Sequence, residues 1–192
     1  MTPAQLTALR QAIDANPTWA AIPNNSDGNY ALAALLNAQA SPAFSVWRTD
    51  APVNAILDAI NWGTYTPSDT IALTDPTLTQ QVGRLLTIQT KQMNLQLMVQ
   101  GREVINCSRP NVRGGLRDAV IQVPSGANGA ATSPGGANGA TVLAQCIRNA
   151  TEAEKILATA SQASDTTGAT TARVMGFEGN VSPTDVETAR NL

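Results

Sequence analysis

Side chains able to act as nucleophiles, bases or metal ligands are scarce in this sequence. There is no histidine, which removes Ser-His-Asp and Cys-His nucleophile systems, HExxH zinc sites and imidazole acid–base catalysis together. The two cysteines, Cys107 and Cys146, are too few for a zinc site and are not spaced as CxxC. Nothing in the sequence decides whether they pair. Glu152 and Glu154 fall in the first turn of a predicted helix, where the helix dipole already accounts for them. Glu103, Asp118 and Glu178 are isolated, so the paired carboxylates of glycoside hydrolysis do not emerge. The segment Pro124–Ala140, PSGANGAATSPGGANGA, has the glycines of a phosphate loop but lacks Gly-Lys-Ser/Thr. It also places Ser133-Pro134-Gly135 where a dinucleotide loop would open a helix. The expectation is a protein without catalytic residues, cofactor or metal.

The cations are better organised. Arg109, Arg113 and Arg117 repeat at i, i+4, i+8 and predict one cationic ridge along a helix, with Arg102 just upstream. Arg84 and Lys91 share a face of another helix at i, i+7. Such a ridge is either a solvated face or a strip facing an acidic partner protein or passing DNA. Arginine's planar fork suits carboxylates and phosphates alike.

The element carrying Arg84 and Lys91 is predicted as a long central helix from Pro76 to about Gln100, capped by Asp75 and stopped by Gly101. Its apolar residues form two stripes. Leu78, Val82, Leu85, Leu86, Met93 and Leu97 share about 120° of arc at 100° per residue. Ile88, Leu95 and Val99 lie on another side. Two stripes imply burial on two sides, in the chain's own core or, for Ile88, Leu95 and Val99, against a neighbouring subunit. The ridge belongs to a helix over Arg109–Val123, with Val112, Leu116, Ala119, Val120 and Val123 as its core stripe. Gly114-Gly115 weakens that helix by roughly 2 kcal/mol or admits a close neighbour.

Other signals are local. Thr2 and Pro3 open a first helix, Ser26 or Asp27 caps a second, and Ala43–Arg48 is extended. Asp50 is predicted to cap a helix containing Val53, Ile56, Leu57 and Ile60, with Trp62 and Tyr65 as anchors in the following loop. Thr141–Ala160 is helical with a restart at the capping box Thr151–Glu154. Val174–Phe177 is a short strand, and Ser182-Pro183 opens a last helix. The fold class is therefore mainly α. A helical body over 1–160 carries a flexible Gly-rich loop or hairpin at 124–140, followed by a C-terminal arm over 161–192.

The chain has 192 residues, 43% hydrophobic but only 4% aromatic, so its core must rest on Ala, Leu, Val and Ile. Charged residues are 14%, against about 25% in ordinary soluble domains. Such a low-charge surface suits packing against other copies. The net charge of −2 shows no global bias toward nucleic acid or membrane. No apolar h-region follows the N-terminus, and the longest apolar run, Tyr30–Leu36, is far below the roughly 20 residues that span a bilayer. A soluble intracellular product with reduced thiols is expected.

Several segments together carry a resemblance: RLLTIQTKQMNLQLMVQGRE, NVRGGLRDAVIQVPSGANG, NATEAEKIL, FEGNVSPTDV and, nearer the N-terminus, TPAQLTALRQAI and LNAQASPAFSVWRT. They resemble a family of small structural proteins of tailed-bacteriophage virions, over nearly the whole chain. The resemblance implies a head–tail connector subunit, an adaptor ring beneath the portal. Rings of that kind are helical, commonly of twelve copies, and contact the portal protein above and a tail or nozzle protein below. They extend the DNA channel, with non-specific contact to the viral genome, and use no membrane and no catalytic residue. The expected location is the virion, assembled in the host cytoplasm. A tail or tail-completion protein is the alternative within the virion; a DNA-binding factor of the packaging machinery is the alternative from another class.

Overall fold

A computed structural model describes residues 1–65, 78–120, 134–158, 164–167 and 170–192. In chain order its elements are α1 (Pro3–Ala15), α2 (Pro17–Ala20), α3 (Ser26–Leu36), β1 (Ser45–Trp47), β2 (Ala51–Pro52), α4 (Val53–Asp58), α5 (Trp62–Tyr65), α6 (Leu78–Val99), β3 (Val104–Ile105), α7 (Pro110–Val120), α8 (Pro134–Gln145), β4 (Ile147–Asn149), α9 (Glu152–Leu157), β5 (Ser164–Thr167), β6 (Thr170–Arg173) and α10 (Pro183–Arg190). The chain is mainly helical. The short strands form one sheet in the order β4-β1-β6-β5, with Val46 and Arg173 in parallel register, and a separate antiparallel β2–β3 pair.

Two compact units divide the chain discontinuously. The first comprises Met1–Val46, Arg148–Asp165 and Ala172–Leu192; the second comprises Trp47–Ile147 and Thr166–Thr171. Local sequence signals built the helix starts of the first unit. Capping boxes at Thr2/Gln5, Thr151/Glu154 and Ser182/Asp185 open α1, α9 and α10. Each satisfies two backbone donors that a helix start otherwise leaves bare. The apolar residues behind these caps, Leu9, Ile13, Leu32, Leu36, Ala153, Val181, Val186 and Ala189, form one buried cluster.

That cluster corrects the C-terminal arm expected over 161–192. Helix α10 packs against both α1 and α3, and Val181, Val186 and Ala189 are almost completely buried. The Asn37 side chain ties down the approach to α10, donating to Val181 O and accepting from Val181 N–H, both at 2.9 Å. Helix α3 starts at Ser26 and is capped by Asn25 rather than by Ser26 or Asp27. The predicted strand Val174–Phe177 is displaced to β6.

In the second unit, α7 packs on both α6 and α8. Asp50 does not cap α4: Pro52 occupies the cap position with no side-chain bond, and Asp50 instead accepts from Arg48 at 3.0 Å. Trp62, expected as an anchor, leaves 47% of its surface exposed while its helix α5 packs on α8; the Tyr65 side chain lies outside the described residues. The Gly-rich segment is helical from Pro134 onward, which corrects the loop expected to reach Ala140; residues 121–133 are outside the described part. Pro134 fits a first helical position. Within α8, buried Asn138 accepts from the Asn61 N–H at 2.9 Å, and Thr141 donates to Ala59 O at 2.9 Å. These fixed contacts offset the poor helix propensity of Gly135, Gly136 and Gly139.

The two stripes of α6 are also reassigned. Ile88 and Leu95, considered for a neighbouring subunit, are 3% exposed, and Val99 is half-buried. They pack inside their own chain. The stripe assigned to the core is open instead: Val82, Leu86, Met93 and Leu97 are the exposed large apolar residues of α6 among those described.

Candidate functional site

The ridge predicted from Arg109, Arg113 and Arg117 does not exist as a surface, because its middle member lies in the core. Arg113 is fully buried. It donates from Nη1 to the Cys107 carbonyl oxygen at 2.7 Å, and its guanidinium carbon lies 4.4 Å from the Trp47 ring centroid. Trp47 is fully buried too. The cation sits on an aromatic face in a desolvated place, where that attraction is worth about 2 kcal/mol. The signal was in the sequence: Arg113, Leu116 and Val120 are spaced i, i+3, i+7, so Arg113 shares the core arc of α7.

Both cysteines join this centre. Cys107 N–H donates to Arg48 O, and Arg48 N–H donates to Cys146 O, each at 2.8 Å. This backbone relay brings the two side chains to one place, where both are fully buried free thiols. Cys146 Sγ lies 3.4 Å from Val142 O. A hydrogen bond from Cys146, aided by the positive charges of Arg113 and Arg48 against the cost of burial, holds the Cys107 thiol below its ordinary pKa. The same sulfur–sulfur contact and burial push Cys146 far up. One sulfur is thus poised toward thiolate and the other held as a donor. The side chains of the group are sealed from solvent.

The other arginines of this group reach solvent. Arg102 and Arg109 are exposed and Arg117 is half-buried. Arg102 and Arg109 border a cavity of about 320 Å³ floored by Leu97, Met98, Ile105 and Val112. Lys91 is held by α7, donating to the Asp118 carbonyl oxygen and pairing with its carboxylate at 3.7 Å. Arg84 lies on α6 with its side chain outside the described residues. The structure therefore groups Arg102 with Arg109 and separates them from Arg113 and Lys91.

A strong pair in the first unit was not foreseen. Glu154 is 2% exposed and accepts from Arg148 Nη1 and Nη2 at 2.8 and 2.7 Å. The Thr151 N–H adds a bond at 2.9 Å. Burial opposes the charged carboxylate, but the Arg148 and backbone bonds outweigh it and hold Glu154 below its usual range. The capping box was legible; Arg148 was not, because β4 rather than helical spacing delivers it.

Comparisons with protein families, with curated proteins and with solved structures give no match. Among the described residues, no three His, Cys, Asp or Glu side chains are grouped to hold a metal, and no helix is long and apolar enough to cross a membrane.

Proposed function

We propose that the chain is a structural subunit of a tailed-phage head–tail connector, acting in an adaptor ring between portal and tail and lining the DNA channel. The observation that carries this reading is the exposed apolar stripe of α6. Four large apolar side chains on one helical face are a contact surface, and contact is what a connector subunit supplies. The phage-like segments in the sequence agree with it. The role is mechanical, with no catalytic step. Its partners are other copies of the chain in a ring of about the twelve usual for such adaptors, the portal protein and a tail or nozzle protein. Its place is the virion, after assembly in the host cytoplasm.

The test is to tag the chain and image the particles. Density for the tag at the neck supports the connector, density along or at the tip of the tail supports the tail-completion alternative, and a particle without the chain removes both. A packaging factor that binds DNA is the second reading, favoured by the exposed Arg102 and Arg109. It requires DNA affinity that falls steeply with salt. The loss of Arg113 to the core leaves that reading a smaller cationic strip than the sequence suggested.

A further inference from the structure

Helix α6 carries a face whose spacing is complementary to itself. Val82, Leu86, Met93 and Leu97 are 37%, 57%, 59% and 65% exposed. At 100° per residue they lie within about 60° of arc, opposite the buried Ile88 and Leu95. Val82 and Leu97 are equally distant from the point between Gln89 and Thr90, and so are Leu86 and Met93. Reversing the helix therefore maps the stripe onto itself.

We propose that this stripe pairs with the same stripe of a second copy, antiparallel, about a two-fold axis passing between Gln89 and Thr90. Val82 then meets the partner's Leu97, and Leu86 meets the partner's Met93. A two-fold contact requires one patch to be complementary to itself, and this spacing meets that condition. The middle of the seam is free of charge, and the exposed Arg102 and Arg109 beside Leu97 stand at its two ends. Gln89, Thr90 and Gln96 fill the positions between the apolar residues, α6 has no acidic residue, and Lys91 is turned to Asp118 of α7. The central contacts thus form without like-charge repulsion, the arginines of the two copies stay at opposite ends of the seam, and antiparallel helices oppose their dipoles favourably.

The size of the face sets the strength. Val82 to Leu97 spans about 22 Å of helix, and two such faces bury on the order of 1,000 Å² in total. That is the low end for specific interfaces. The pair is therefore weak, with a dissociation constant of roughly micromolar. The inference does not rest on the connector reading and draws on the same stripe differently: a two-fold contact closes on two copies, whereas a ring is built head-to-tail, so a dimer through α6 would leave any ring to other surfaces of the chain.

Sedimentation of the full chain across the micromolar range tests it. The expected result is a monomer–dimer equilibrium whose dissociation constant rises at least about tenfold in the Leu86→Glu, Met93→Glu chain, as for any loss of central contacts. Melting should be little changed, because both positions are exposed. Should that chain lose its melting transition, Leu86→Gln with Met93→Gln carries the same test. Register is read by oxidative crosslinking: a mixture of Leu86→Cys and Met93→Cys chains links, while neither links alone. A monomer at all concentrations, an assembly indifferent to the changes, or self-linking of the Leu86→Cys chain alone would each overturn the proposal.

Discussion

Arg113 stacks on Trp47 with 4.4 Å between guanidinium carbon and ring centroid, and neither side chain reaches solvent. An arginine placed this way holds a core together and cannot meet a partner. Arg113→Ala is expected to destabilise the chain by about 3–5 kcal/mol, as large-to-small changes in cores do. Arg113→Lys keeps the charge but loses the planar fork and should cost about 1–2 kcal/mol. Arg102→Glu and Arg109→Glu should stay within about 0.5 kcal/mol, as at ordinary surface positions. Urea denaturation of the four variants checks the order. Equal, small effects at all three arginines would restore the surface ridge.

The thiol pair predicts an uneven titration. Cys107 is held below the ordinary 9.0 and Cys146 above it, so the native protein should release one thiol proton below pH 9.0 and retain the other until it unfolds. The first proton belongs to the coupled pair. Cys146→Ala removes the donor and should move that titration upward. Thiolate absorbance against pH reads both effects, and two thiols titrating together in the native chain would contradict the arrangement.

How far the sequence could be read depended on whether a signal was local. Thr2, Thr151 and Ser182 declare helix starts because their bonds close within three residues. The two stripes of α6 were visible, but Leu86, Met93 and Leu97 are as apolar as Ile88 and Leu95. Only the packing of α7 decides which side is covered. In α8, three glycines outweighed helix in any propensity count; a tertiary bond from the Asn61 backbone to Asn138 reverses that. Arg113 followed core spacing, yet its charge argued for solvent until Trp47 supplied a face to stack on. The candidate contact surface was thus legible as a stripe but placed on the wrong side, and the buried centre was not legible.

Glu154 makes the first unit sensitive to acid. Its folded-state pKa is held below the ordinary carboxylate value by Arg148 and the backbone bonds, so its contribution is complete above the unfolded-state pKa. That contribution is lost as pH falls through the lower folded-state value. Glu154→Gln removes the nearer charged partner of a half-buried Arg148, leaving Glu178 at 3.7 Å, and should cost about 3 kcal/mol at neutral pH. The variant should also lose part of the acid dependence. Melting temperature against pH for both chains tests this; parallel curves would mean that Glu154 titrates alike in folded and unfolded states.

Two glycines should respond to alanine with opposite sign. At Gly28 an added Cβ would lie 1.9 Å from Pro23 O, a backbone atom that cannot swing aside. Helix α3 begins at Ser26 and must bring its first turn against Pro23, so Gly28→Ala forces the turn away and uncovers Leu32 and Leu36 behind it. The cost should exceed about 2 kcal/mol, the range of strained core changes. Gly114, in α7, has nothing within 4 Å of such a Cβ and lies exposed within the helix. There alanine removes only the entropic handicap of glycine, and Gly114→Ala should stabilise by about 1 kcal/mol. Its neighbour Gly115 differs, since Met98 Cε, the end of a flexible side chain, would lie 3.0 Å from the new atom and would have to shift. Denaturation midpoints of the Gly28→Ala and Gly114→Ala chains should move in opposite directions. A loss at Gly114 would mean that another surface covers α7 at that point, and a neutral Gly28→Ala would mean that α3 does not start against Pro23.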